Sequence, residues 1–110
     1  TVGALVAVGA KPVLIDVDDR FQINADCIEE AITPNTKVIM PVHWGGSYPK
    51  MNEICKIAEK NNLIIIEDAC MGIGGSINGK HPGTFGEIGA FSMHPLKSLN
   101  AIGDGGMLVT

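Results

Sequence analysis

The chain has few cysteines and no apolar stretch long enough to span a bilayer. Its three cysteines, Cys27, Cys55 and Cys70, are odd in number and form no C-x-x-C pair. That usage is typical of reduced thiols in the cytoplasm and disfavours a disulfide framework. The first residues also lack a basic segment that leads into a hydrophobic one. These absences predict a cytoplasmic protein that acts without a membrane.

Positive charge is scarce as well. The 110 residues include eight basic and twelve acidic side chains, for a formal net charge of −4, and the basic ones form no cluster. Proteins that follow a nucleic-acid backbone need such a cluster, so nucleic acid is excluded as a partner. Hydrophobic residues make up 45% of the chain, enough for the core of one domain at most.

Three common site motifs are incomplete. The histidines have no spacing typical of zinc ligands, and we predict no metal site. The acidic run at 16–19 lacks the later glycine and the glutamate of a calcium loop. The run Gly72-Ile73-Gly74-Gly75 has Ile77 where a dinucleotide signature requires its last glycine, and no helix follows it.

Apolar runs alternate with segments of helical period, which predicts an α/β fold with a mostly parallel sheet flanked by helices. Asn78-Gly79 is typical of a two-residue hairpin turn. The predicted elements are strands at 13–17, 37–42, 63–67 and 89–93, a short helix from Asn24 or Asp26 to Ile32, and a helix from 51 to 61.

Three residues of the second half point to one cofactor. Asp68 directly follows the buried strand at 63–67, where open α/β sheets bind ligands. Lys97 lies in a loop bounded by Pro95 and Gly103, and Ser92 lies in the predicted strand before it. A carboxylate at a strand end and a lysine on a nearby loop suit pyridoxal 5'-phosphate, which we predict as the cofactor.

The chemistry of that cofactor explains these residue types. Lysine condenses with the aldehyde to give a Schiff base, whereas arginine stays charged and cannot do so. An aspartate paired with the pyridine nitrogen keeps the ring an electron sink. A serine hydroxyl can hold phosphate. We therefore predict Lys97 and Asp68 as catalytic residues and Asp68, Ser92 and Lys97 as cofactor-binding residues.

The segment from Glu67 to Thr110, with the upstream GAKPVLIDVD and PVHWGG, resembles the DegT/DnrJ/StrS-type sugar aminotransferases. The most specific part is the arrangement FS-x4-K-x5-GDGG. The resemblance implies that Asp68 matches the ring-nitrogen aspartate, Ser92 the phosphate-contacting serine and Lys97 the Schiff-base lysine. It also places His43 near the mouth of the substrate site, with a loop-stabilising donor as the alternative.

Membership would imply the fold of the aspartate aminotransferase type I large domain, and residues 1–110 as part of that cofactor-binding domain. It would also imply a homodimer that transfers an amino group, from glutamate, to a keto sugar linked to a nucleotide, in deoxyaminosugar or polysaccharide biosynthesis. Two alternatives stay open. One is a deoxysugar dehydratase, whose branch has histidine in place of Lys97. The other is a non-catalytic regulatory or structural member of the fold.

Two departures from the family pattern bear on these expectations. Met71 stands where family members usually carry Gln or His, and a thioether cannot donate a hydrogen bond to the cofactor. The family's N-terminal helix start and its small C-terminal domain have no counterpart in the 110 residues. We therefore expect an interior part of a longer polypeptide, and we predict that these residues alone are inactive.

Overall fold

The computed structural model describes all residues from Thr1 to Thr110. Its largest element is a four-stranded sheet in the order β1-β2-β3-β4. The strands are β1 Val38–Ile39, β2 Ile64–Asp68, β3 Ile88–Ser92 and β4 Gly106–Val109. The helices are α1 Val2–Ala7, α2 Ile28–Ala31, which continues a 3-10 turn at Ala25–Cys27, and α3 Met51–Asn61.

The sheet is parallel except at its last strand. Strand β1 pairs parallel with β2, and β2 pairs parallel with β3, with Asp68 opposite Ala90. Strand β4 pairs antiparallel with β3, with Ser92 opposite Gly106. The predicted mostly parallel sheet is therefore confirmed, and the carboxyl ends of β1, β2 and β3 meet at one edge.

Helix α3 is the crossover between β1 and β2. Its apolar positions recur at helical spacing, and Met51, Ile54 and Ala58 are buried. Asn62 ends the helix in the left-handed conformation that asparagine tolerates. The core forms where this helix and α2 pack on the sheet, and it consists of Ala25, Ile28, Ile39, Met51, Ile54, Ala58 and Ile65.

The short helix after Asn24 is confirmed with its predicted cap. The Asn24 side chain accepts a hydrogen bond from the Asp26 backbone N–H at 3.1 Å. Asn78-Gly79 forms the predicted hairpin turn, because both residues have positive φ and Ile77 bridges Lys80 antiparallel.

The predicted strand at 13–17 is wrong for this chain. Val17 makes only one isolated bridge, to Ile23, and Leu14 is 79% exposed. The backbone of this segment pairs only at its end, where Asn24 N–H donates to the Asp16 carbonyl and Asp18 N–H donates to the Gln22 carbonyl, so no strand forms over 13–17. The predicted strand at 37–42 is reduced to Val38–Ile39, followed by a single bridge between Val42 and Asp68. This segment still runs beside β2, but Pro41 has no N–H to donate to the ladder.

None of the helices is long and apolar enough to cross a bilayer.

Candidate active site

Asp68 and Ser92 lie on the same face of the sheet at its carboxyl edge. Asp68 is in register with Ala90 on the neighbouring parallel strand. Side chains alternate between faces along a strand, so Ser92, two residues beyond Ala90, shares the face of Asp68. The register therefore brings together two of the three predicted site residues.

The carboxylate of Asp68 is held in its ionised form. Burial raises its pKa, but hydrogen bonds from the Cys70 side chain, the Thr1 hydroxyl and the Cys70 backbone N–H outweigh burial and leave the pKa below the ordinary value. The Thr1 hydroxyl donates to Oδ2, and the Cys70 N–H donates to Oδ1 at 3.3 Å. Asp68 can therefore offer a negative charge to a cationic group.

Lys97 lines a pocket of about 150 Å³ in the loop beyond β3. Its backbone N–H donates to the His94 carbonyl at 2.8 Å, and Asn100 Nδ2 donates to the Lys97 carbonyl at 3.2 Å. Its Nζ takes part in none of the ion pairs of the chain. The other lining residues are Gly45, Gly46, Cys70, Met71, Leu96 and Ser98.

Cys70 connects this pocket to the sheet edge. Its sulfur also lies 3.7 Å from the Ala90 carbonyl oxygen. Burial raises the pKa of this thiol, as do a hydrogen bond and the charge of Asp68, whereas the Ser92 backbone and the charge of Lys97 lower it. Cys70 therefore bonds to Asp68 and shares a pocket with Lys97, although the side chains of Asp68, Ser92 and Lys97 make no direct hydrogen bond to one another.

The hydroxyl of Ser92 is available to a ligand. It accepts a hydrogen bond from the His94 backbone N–H at 3.3 Å, and its own hydrogen has no acceptor within the chain. The loop after it is closed by two backbone bonds of Met93, which donates to Gly105 and accepts from Ala101, each at 2.8 Å. Ser92 therefore lies at a fixed loop entrance, with its O–H free to donate.

Sequence reasoning missed Glu67, which is fully buried on the opposite face of β2 from Asp68. Its Oε2 accepts from His43 Nε2 and from the Gly83 N–H, both at 2.8 Å. Its Oε1 accepts from the N–H groups of Phe85 at 2.6 Å and Gly86 at 2.8 Å. The available signal was an acidic residue that continues an apolar strand, because buried carboxylates need partners.

These four donors keep Glu67 ionised. Burial raises its pKa, but the hydrogen bonds of His43, Gly86, Gly83 and Phe85 outweigh burial and leave the pKa below its ordinary value. His43 is also fully buried, and it does not line the pocket of Lys97. Of the two roles considered for His43, the structure supports the stabilising donor.

A second pocket, of about 340 Å³, lies beside Arg20, Tyr48 and Lys50, and none of the predicted site residues lines it.

The sequence profile of the DegT/DnrJ/EryC1/StrS aminotransferase family matches residues 1–110. The chain belongs to this family.

Among the relatives of this chain, a UDP-N-acetyl-3-dehydro-α-D-glucosamine 3-aminotransferase of Acidithiobacillus ferrooxidans is 51% identical over 111 aligned positions. A pleiotropic regulatory protein of Geobacillus stearothermophilus is 43% identical. Each alignment covers 100% of this chain and 30% of the relative. The chain therefore spans about a third of the length of these curated relatives.

The fold of the family is confirmed by structure. The crystal structure of NtdA from Bacillus subtilis, with the cofactor PMP bound, superposes with a TM-score of 0.90 at 40% identity. The superposition covers 100% of this chain and 25% of NtdA. The α/β architecture predicted from the sequence is thus that of a pyridoxal-phosphate-dependent transferase.

Proposed function

We propose that this chain is part of the cofactor-binding large domain of an aminotransferase that uses pyridoxal 5'-phosphate and acts on a nucleotide-linked keto sugar. The observation that carries the proposal is the site at the carboxyl edge of the sheet. There, ionised Asp68 and the free hydroxyl of Ser92 share one face, and Cys70 joins them to the pocket of Lys97. Membership of an aminotransferase family supports the same reaction.

The chemistry of the donor set fits the cofactor. Asp68 supplies the anion that holds a proton on a pyridine nitrogen, because its pKa lies below the ordinary value. Ser92 supplies an O–H for a phosphate oxygen, and Lys97 supplies an amine without an ion-pair partner. The bound PMP of the NtdA structure supports the same cofactor class.

When bound, pyridoxal phosphate supplies an aldehyde that carries the amino group and a ring that accepts electrons. Lys97 Nζ would hold the cofactor through its aldehyde and, when free, would act as the base for the α proton of the amino donor. Asp68 would hold a proton on the ring nitrogen, and Ser92 would hold the phosphate.

The substrate class follows from the relatives. The Acidithiobacillus ferrooxidans relative is named as a 3-aminotransferase of a UDP-linked keto sugar, and we assign a sugar of this class to the protein that contains this chain. Glutamate is the proposed amino donor, and a cytoplasmic homodimer is the proposed form. These three assignments rest on the family resemblance.

The decisive experiment locates the cofactor bond. The full-length protein is incubated with pyridoxal phosphate, reduced with borohydride and digested, and the modified peptide is identified by mass. We expect the adduct on Lys97, its loss in Lys97→Ala, and its retention in Lys56→Ala, a matched control at an exposed lysine of α3. An adduct on another lysine, or no adduct, would overturn the assignment.

Amino transfer is then measured separately. Glutamate should change the visible absorbance of the cofactor-loaded protein, and a nucleotide-linked keto sugar should restore it. An absorbance that responds to neither compound would contradict the aminotransferase assignment even if Lys97 binds the cofactor.

Two observations favour a non-catalytic regulatory role as the second candidate. One relative carries the name of a pleiotropic regulatory protein, and Met71, in the pocket of Lys97, cannot donate a hydrogen bond. The dehydratase alternative is weaker, because its branch lacks the lysine that this chain has at 97. The glutamate experiment separates the candidates, since only the aminotransferase predicts a spectral response.

A further inference from the structure

Glu67 lies where three segments of the candidate site meet, although it faces away from Asp68. Its two carboxylate oxygens accept four hydrogen bonds, and the whole side chain is buried. Buried carboxylates are costly unless they are fully paired, and a fully paired one fixes the groups around it.

The first segment is the turn that lines the pocket of Lys97. His43 donates from Nε2 to Glu67, and its backbone N–H donates to the Asp68 carbonyl at 3.0 Å. The next three residues form the Trp44–Gly46 turn, and two of them, Gly45 and Gly46, line the pocket. The bond from His43 to Glu67 therefore sets the position of one wall of that pocket.

The second segment is the loop that precedes β3. Gly83 donates to Glu67 and packs directly against β3, because a Cβ at Gly83 would lie 2.5 Å from the ring of Phe91. A Cβ at Gly89 would overlap the Gly83 carbonyl. Phe91 immediately precedes Ser92, so the bonds of Glu67 to this loop support the strand that carries the predicted phosphate ligand.

We propose that Glu67 is a positioning residue: its carboxylate holds the pocket turn at His43–Gly46, the Asp68 end of β2 and the loop under β3 in one fixed arrangement. This proposal rests on the proposed function, since the groups it positions are those assigned to the cofactor. Loss of one acceptor should misplace Lys97 and Ser92 relative to Asp68 and lower turnover more than it weakens substrate binding.

The first test is Glu67→Gln in the full-length protein. A Gln side chain keeps the shape but replaces one acceptor oxygen with a donor, so at least one of the loop N–H groups loses its partner. We expect kcat at saturating cofactor to fall at least tenfold, with the KM for the amino donor within twofold of wild type. Glu59→Gln, the same change at an exposed position of α3, should leave both unchanged.

The second test works without cofactor. In the apoprotein, hydrogen exchange at one or more of the amides of Gly83, Phe85 and Gly86 should be at least tenfold faster in Glu67→Gln, while exchange at Ile57 in α3 changes less than twofold. This readout depends on the hydrogen-bond network alone, so it stays valid even if the aminotransferase assignment fails.

A pair of variants at His43 gives a test that does not require Glu67→Gln to fold. The Gln amide nitrogen lies about as far along its side chain as Nε2 of His, so His43→Gln keeps a donor for Glu67 and His43→Leu removes it. We expect His43→Gln to retain kcat within threefold and His43→Leu to lose at least tenfold.

The proposal is overturned if an active wild-type enzyme shows equal kcat in the two His43 variants, or if folded Glu67→Gln keeps kcat within twofold. An inactive wild type would instead count against the proposed function, and the exchange measurement would then decide the role of Glu67.

Discussion

At the scale of single residues, the charge of Asp68 is the property that the candidate site depends on. Its hydrogen bonds come from Thr1 and Cys70 and leave its pKa below the ordinary value despite burial. An anion at this place can stabilise a protonated ring, whereas a neutral amide cannot. The residue type is therefore constrained by charge and not only by shape.

Asp68→Asn in the full-length enzyme should lower kcat/KM by about 100-fold, the cost typical of removing one charge-stabilising group from an active site. The expected cause is a ring nitrogen that no longer keeps its proton. Asp19→Asn, at an exposed aspartate, is the control and should match wild type. A rate for Asp68→Asn within twofold of wild type would remove Asp68 from its assigned role.

Glu67 should make stability depend on pH in the acid range. Its pKa in the folded protein is below the ordinary 4.5, so the unfolded chain binds the proton more tightly. The stabilisation is therefore fully present above about pH 4.5 and is lost as the pH falls through the lower folded pKa. In thermal melts, Glu67→Gln should have a lower Tm than wild type at neutral pH but a smaller fall in Tm on acidification. An equally steep fall in both proteins would contradict the assignment.

The sequence pointed to the residues on the Asp68 face of β2 but not to the buried pair on the opposite face. Asp68, Ser92 and Lys97 could be proposed from the sequence because each residue type has a chemical reason for its place. The pairing of Glu67 with His43 could not, because the two are twenty-four residues apart and only the register of β2 brings them together. A buried acid is visible in the sequence, but its partner is not.

At the scale of elements, local signals predicted those parts of the fold whose bonds are local. Helix α3 has its own apolar stripe and its own left-handed end at Asn62, and the hairpin at Asn78 has its own turn residues. The segment at 13–17 and strand β4 depend instead on the strands beside them. Composition predicted a strand at 13–17, where none forms. It did not predict β4, which pairs with β3.

Helix α3 is the element that anchors the core to the sheet, and Ile54 is its most buried residue, at 0% exposure. Ile54→Ala should lower the free energy of unfolding by about 2–5 kcal/mol, through lost burial and a cavity that relaxes only partly. Lys56→Ala, on the exposed side of the same helix, should change it by less than about 0.5 kcal/mol. Urea unfolding of the full-length protein measures both, and equal effects would contradict the packing described for α3.

At the scale of the whole molecule, the 110 residues leave much apolar surface in water. Only 17 of them are buried, and side chains such as Val8, Leu14 and Leu108 are 69–80% exposed. Exposed apolar surface of this kind marks contacts with other protein segments or a tendency to aggregate.

Residues 1–110 produced alone should therefore fail as an enzyme even with every predicted site residue present. The exposed apolar side chains favour association over a cooperative fold, and the loop of Lys97 also contains Leu96 and Ile102, whose side chains are almost fully exposed. We expect no glutamate-dependent change in cofactor absorbance and a broad thermal transition, with the full-length protein as the positive control. A cooperative transition together with a glutamate response in the isolated 110 residues would show that the sheet edge alone suffices for cofactor chemistry. In that case the anchoring of Lys97, Asp68 and Ser92 would be a property of this chain alone, independent of any other segment.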